Sequence, residues 1–272
     1  VGSEMCIRDR FISLQTLKNM FMKQMKFLLV ALMTVLMGMS VTSCLKGDDN
    51  NTVTMTVPVK YNYTSFLMGD GVTKLVPNSE LGVLSGTMYI ISCQYDRSQV
   101  TNNTTSIPVT LIGNPVCIDP KSGESLTSQK IEPTNPLYTL DKQRSNLDYF
   151  DKNTIVLTMS YWVKVTGSTV EESEVNKHSF SLYYDPEEIK EGDTRLTLHI
   201  SHRINDTDKV DRNNWTYAYR AYSISNALYQ FKEKSGKLPQ YIILKAETNT
   251  SEDKLKTENG ETSAEYEYPF KE

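Results

Sequence analysis

The stretch Thr154-Ile155-Val156-Leu157-Thr158-Met159-Ser160-Tyr161-Trp162-Val163-Lys164-Val165 decides the fold class. Ile155, Leu157, Met159, Tyr161, Val163 and Val165 share one side of an extended chain, with Val156, Trp162 and Lys164 on the other. That period of two belongs to a strand, because successive side chains leave a pleated backbone in opposite directions. Bulky β-branched and aromatic residues favour the same conformation. The stretch therefore reads as a long, half-buried strand.

The pattern recurs in both directions. Downstream, His178, Phe180, Leu182 and Tyr184 alternate with Ser179, Ser181 and Tyr183 until Asp185-Pro186. Gly192-Asp193 turns into Thr194–Arg203, where Leu196, Leu198 and Ile200 share a face. Trp215–Ile224 is a further aromatic strand. Ser225–Lys234 reads as a short helix with Ala227, Leu228 and Phe231 on one side and Gly236 as its C-terminal cap. Tyr241–Lys245 and Ala264–Phe270 close the series. Strands at this spacing predict a β-sandwich. Upstream, Thr52–Tyr63 puts Val53, Met55, Val57, Val59, Tyr61 and Tyr63 on one face. Gly69-Asp70-Gly71 is a turn. Val72–Val76, Leu84–Tyr95 (with Gly86 as a bulge), Ile107–Ile112 and Val116–Ile118 follow. Short strands this close together predict a small, nearly closed barrel. The chain is thus expected to be all-β: an OB-like barrel over 52–120, a Pro/Ser/Asn-rich linker over 121–146 and a sandwich over 147–272.

The N-terminal part is an address. Met25-Lys26 leads into the apolar run Phe27–Met39, then Gly38, Ser40, Thr42 and Ser43, and then Cys44. The run is shorter than the roughly 20 residues that span a bilayer, and it has the charged start and small-residue end of a signal peptide. Val41-Thr42-Ser43-Cys44 resembles the lipobox of bacterial lipoproteins. Residues 25–43 are then a cleaved signal, Cys44 carries diacylglycerol and acyl chains such as palmitate, and 44–51 is a polar tether. Residues 1–24 read as an upstream extension of the gene model; Val1–Arg10 resembles a translated adapter remnant. Lysine and acidic residues just after Cys44 resemble the export signal for display on the outer membrane surface. Membrane attachment is expected only through this lipid.

Five of the 29 basic and two of the 33 acidic side chains precede Cys44, so the remainder carries 24 against 31. An acidic surface argues against nucleic acid as a partner. Cys93 and Cys117 remain beyond Cys44; an oxidising compartment would permit a bridge between them, and the alternative is two free thiols. Two cysteines without clustered histidines make a poor zinc site.

The order of these blocks is similar to that of the NigD-like family of Bacteroidetes lipoproteins. The matching stretches are Gly69-Asp70-Gly71-Val72-Thr73-Lys74-Leu75-Val76-Pro77, Leu84–Tyr95, Ile155–Trp162, Lys177–Asp185 and Gly192–Leu198. The chain departs from the family in the length of the linker and in the loop 205–214. The resemblance implies an OB-type domain before a β-sandwich, and a bacteriocin-associated or immunity role through its name. It supplies no catalytic residues.

Chemistry is sparse. His199 and His202 are three apart and point to opposite faces of a strand, with His202 beside Leu196, Leu198 and Ile200. These and His178 read as ordinary strand histidines. Glu171-Glu172 and Glu187-Glu188 fall in turns and read as solvated rather than as a glycosidase pair. There is no nucleophile elbow, phosphate loop or His-Glu-x-x-His pair. No catalytic residue, metal ligand or cofactor is expected. The aromatic row Trp215, Tyr217 and Tyr219, with Tyr222 on the opposite face, is the richest binding signal. Its simpler reading is that the rings fill the sandwich core; its functional reading is stacking on sugar rings. Two functions follow: a non-catalytic surface lipoprotein that binds a protein or envelope component, or a glycan-binding accessory lipoprotein.

Overall fold

The computed structural model describes residues 51–271 apart from 102, 132–134, 141–145, 168, 207–209 and 250–261. Cys44, its signal and most of the tether lie outside the described residues.

The first unit is built from β1 (Thr52–Asn62), β2 (Ser65–Leu67), β3 (Lys74–Pro77), β4 (Met88–Asp96), β5 (Ser106–Leu111) and β6 (Val116–Cys117). Strands pair in the order β1-β2-β3-β5-β4, and β4 pairs again with β1. The five strands therefore close a barrel, with β6 added along β4. Closure removes the free strand edges that an open sheet would expose. Val57, Val59, Tyr61, Phe66, Leu75, Ile91, Cys93 and Val109 fill it. The alternation of β1 thus points inward as expected, except at its end. Tyr63 lies beyond the strand, is 78% exposed and has φ +54. The strand expected from Leu84 begins only at Met88. Gly86, expected as a bulge, is instead a turn residue at φ +82 whose N–H donates to the Tyr61 carbonyl (2.8 Å).

The second unit has a five-stranded sheet, β14 (Thr262–Pro269), β13 (Tyr241–Thr248), β11 (Arg195–Ile204), β10 (His178–Tyr183) and β7 (Leu126–Thr127). It faces a three-stranded sheet, β12 (Asn214–Ser223), β9 (Thr154–Val163) and β8 (Asn146–Asp151). Leu157, Met159, Tyr161, Phe180, Leu198, Leu244 and Tyr222 pack between them. Two α-helices occur among the described residues, α1 (Glu172–Val175) and α2 (Ser225–Ser235). Helix α2 ends as its sequence predicts, on Gly236 at φ +84, where a side chain would be strained. The architecture is the expected all-β barrel followed by a sandwich.

The segment 121–146 joins the two units and is partly built into the second. Its β7 pairs in parallel with β10. Asn135 bridges to His202, Leu137 to Thr248 and Thr139 to Ser160, so one short stretch stitches both sheets. Leu137 and Leu140 lie in the core. Glu124 is fully buried as a side chain. It accepts from the N–H of Phe180 and of Lys121 (both 2.9 Å) and from Arg220 Nε (2.6 Å).

The two units also touch directly. Met88 and Ile118 of the first pack on Val156 and Ala221 of the second. The Ala221 N–H donates to the Ile118 carbonyl (2.7 Å). A Cβ on Gly69 would lie 1.6 Å from the Phe150 carbonyl oxygen, so only glycine fits there. This contact explains why β9 is buried on both faces rather than half-buried: its outward Val156 lies under the barrel. Its outward Trp162 lies under Tyr138 and donates from Nε1 to the Asn249 carbonyl (2.7 Å).

Candidate functional site: an aromatic face on the three-stranded sheet

Strand β12 alternates two chemistries. Ala218, Arg220 and Tyr222 turn inward and are buried; Trp215, Tyr217 and Tyr219 turn outward. The expectation that this row fills the sandwich core is therefore corrected. The alternation was legible, but the inward side goes to the smaller Ala218 and to Tyr222, whose hydroxyl donates to the Phe180 carbonyl (2.6 Å). Trp215 and Tyr219 are half-buried, and Tyr217 is exposed. The rings follow one another along the strand, with centroids 5.2 Å apart from Trp215 to Tyr217 and 6.4 Å from Tyr217 to Tyr219. Tyr138 stacks on Trp215 at 5.4 Å and 6°, extending the row.

Strand register sets what stands beside the rings. Trp215 faces Trp162, Tyr217 faces Ser160, Tyr219 faces Thr158 and Ala221 faces Val156. On the far side of β9, Asn146 faces Thr158 and Asp148 faces Val156. Paired residues of an antiparallel ladder share a face. Tyr219, Thr158, Asn146 and Asp148 thus lie on the same outer surface, all half-buried. Asn146 Nδ2 donates to Asp148 Oδ2 (3.2 Å). Burial raises the Asp148 carboxyl above its ordinary value, opposed by Lys271 and the Asn146 hydrogen bond. Burial likewise raises the Tyr219 phenol. One end of this surface is closed by the barrel over Val156 and Ala221, the other by Tyr138 over Trp162.

The histidines lie apart from this surface. His199 points outward, stacks on Tyr183 (4.6 Å, 7°) and lies 3.4 Å from Glu188. His178 and His202 turn inward from adjacent strands and meet, Nδ1 to Nε2, at 2.9 Å. Burial pushes their pKa values down to about 4 and about 3. Glu174 Oε1 lies 3.4 Å from His178 and 2.8 Å from Arg212 Nε. Arg212 in turn pairs with Asp206 (3.0 Å). The sequence reading missed this network and the Glu124–Arg220 pair, because cross-strand neighbours carry no signal in linear spacing. Among the described residues, no group of three or more His, Cys, Asp or Glu side chains could hold a metal ion.

Of the two alternatives for Cys93 and Cys117, the structure has the second: both are free thiols. Cys117 pairs with Tyr89, four residues along β4 from Cys93. At about 3.3 Å per residue this puts them roughly 13 Å apart along the strand, against the roughly 7 Å limit for a bridge. Cys93 points into the barrel, where burial raises its pKa to about 11.

Fold and surface define an all-β protein of barrel and sandwich with an open aromatic face and, among the described residues, no assembled metal centre. No family model and no curated protein matches the sequence. A solved structure from Bacteroides fragilis, provisionally described as a lipoprotein, is 29% identical. It covers 80% of this chain and 99% of its own, with a TM-score of 0.66. A Parabacteroides merdae protein at 13% identity covers 81% of this chain and 100% of its own, with a TM-score of 0.46. A Bacteroides vulgatus protein of unknown function at 8% identity covers 80% and 92%, with a TM-score of 0.45.

Proposed function

We propose that the chain is a lipid-anchored outer-membrane protein of the Bacteroidetes, displayed at the cell surface, that binds a glycan without turning it over. The observation that carries the binding reading is the row Tyr138–Trp215–Tyr217–Tyr219 on an outer sheet face that the core does not use. Aromatic faces attract the C–H-rich faces of sugar rings, and such rings left in water are otherwise a poor use of large apolar area. The anchoring reading rests on the signal ending in Cys44 and on the likeness to the Bacteroides fragilis protein described as a lipoprotein. A glycan array on the purified protein tests binding. Signals abolished by Trp215→Ala, with the circular dichroism spectrum unchanged, support it; an array with no signal for the parent protein rejects it. Cys44→Ala should release the protein from membranes, and globomycin-type inhibition should accumulate an uncleaved precursor.

A second reading, a protein partner such as a bacteriocin or envelope component, is favoured by one observation. Tyr63 and Leu84 stand 78% and 74% exposed at one end of the barrel, and Tyr63 holds a left-handed backbone there. Its N–H donates to Ser85 Oγ (3.3 Å). Exposed apolar residues on a strained loop mark contact sites. Capture of one protein from intact cells by the parent chain and not by Tyr63→Ser/Leu84→Ser, in the presence of competing glycan, would favour this reading.

A further inference from the structure

Stacking rings recognise the C–H-rich faces of sugars but discriminate only coarsely between them. Discrimination needs hydrogen-bonding groups fixed beside the rings. The surface next to Tyr219 supplies them. Across one rung of the sheet stand the Tyr219 phenol, the Thr158 hydroxyl and the Asn146 amide. Asn146 Nδ2 is used on Asp148 Oδ2. The Tyr219 and Thr158 hydroxyls, the Asn146 side-chain oxygen and Asp148 Oδ1 form no other hydrogen bond among the described residues. All four residues are half-buried, so each gives up part of its hydration without a protein partner in return. Their unpaired oxygens reach the surface and are open to a ligand's hydroxyls. Asp148 is a carboxylate beside the barrel that forms no salt bridge among the described residues, with Lys271 acting on it from farther off.

We propose that Tyr219, Thr158, Asn146 and Asp148 form the hydroxyl-reading end of the sugar site, and that its ligand is a neutral polysaccharide chain lying along β12. This rests on the glycan reading above. The direction follows from the rings, which succeed one another along the strand and give a chain consecutive platforms. The charge class follows from Asp148 and from the acidic balance of the whole chain, net −4. A uronate or sulfate approaching Asp148 meets like charge in a poorly solvated place, which is unfavourable. A sugar hydroxyl donating to Asp148 Oδ1 makes a charge-assisted hydrogen bond, among the stronger kinds available at a surface.

Titration calorimetry on the full-length protein in detergent, with laminarin, xylan, galactomannan, arabinan and polygalacturonate as probes, tests this. At least one neutral polymer should bind, and polygalacturonate should not. Asp148→Asn, Thr158→Val and Tyr219→Phe change few atoms and keep the β-strand pattern. Asp148→Asn should weaken binding of the neutral polymer about tenfold, as expected for one charge-assisted hydrogen bond. Thr158→Val and Tyr219→Phe should each weaken it several-fold. If the neutral polymer binds in a Trp215-dependent way but all three variants stay within twofold of the parent, the glycan reading stands and this assignment fails. Preferential binding of polygalacturonate also overturns it. If no polymer binds, both readings fall. Should Asp148→Asn not fold, the Thr158→Val and Tyr219→Phe results decide alone.

Discussion

Mild acid should destabilise this protein through the His178–His202 pair. The two rings stack at 5.2 Å and 12°, and share one hydrogen bond. At neutral pH one nitrogen donates and the other accepts. His202 also stacks on Phe180 at 4.9 Å and lies 3.2 Å from the Pro136 carbonyl through Nδ1. Protonating either ring puts a cation into the sandwich core beside Arg212, with Glu174 as the facing anion and Lys177 and Tyr161 nearby. The folded pKa values, about 4 and about 3, lie below the ordinary 6.5 of the unfolded chain. The unfolded state therefore binds protons first, and stability that is complete above pH 6.5 is lost as pH falls below it. Between pH 6.5 and 5 each histidine contributes about 1.4 kcal/mol per pH unit, or roughly 2 kcal/mol, giving about 4 kcal/mol for the pair. Glu174, held below its usual value, adds its own loss only at lower pH, so pH 5 isolates the histidines. Urea denaturation at pH 7.5 and pH 5 measures the difference. His178→Gln/His202→Gln should be weaker at neutral pH yet nearly flat over the same interval. A parent protein whose stability changes by less than 1 kcal/mol, or a double variant with the parent's slope, would refute the reasoning.

Three further outcomes are expected. Glu124→Ala strands Arg220 in a buried site and should cost about 3–5 kcal/mol; Glu124→Leu/Arg220→Met should recover part of it, measured by the same denaturation. Under native conditions a maleimide should label Cys117 rapidly and Cys93 only after unfolding, since Cys93 is both buried and held as a thiol; equal labelling rates would contradict the barrel packing. Gly69→Ala drives a methyl into the Phe150 carbonyl and should cost about 1–3 kcal/mol or more, seen as a lowered Tm, whereas Gly82→Ala, with open space around it, should be neutral.

Strand content and the division into barrel and sandwich were legible because alternation is local. Val57, Val59 and Tyr61, or Leu196, Leu198 and Ile200, announce their faces without reference to anything distant. The helix Ser225–Ser235 was legible for the same reason, through its apolar side and Gly236. What could not be read was which side of a strand goes inward when both sides are apolar. Strand β12 carries Trp215, Tyr217 and Tyr219 on one side and Tyr222 on the other, and only its pairing with β9 assigns them. The strands β2, β7 and β8 were invisible too. Two are very short, and β8 mixes Asn146, Asp148 and Asp151 with its apolar residues, since part of its outer face stays near solvent. Glu124 sat in a polar stretch that looked solvated; its burial depends on a guanidinium 96 residues away.

That clasp has an evolutionary consequence. Glu124 leaves the barrel side of the chain to grip the N–H of Phe180 and the side chain of Arg220, while Ile118 and Gly69 fit against Ala221 and Phe150. Recombination at the junction between the two units would inherit one half of each contact from each parent. An exchange between diverged relatives would survive only where both supply a carboxylate for the guanidinium and a glycine under the carbonyl. The lineage is therefore expected to vary its aromatic face by point substitution on β12, while barrel and sandwich travel as a single heritable block.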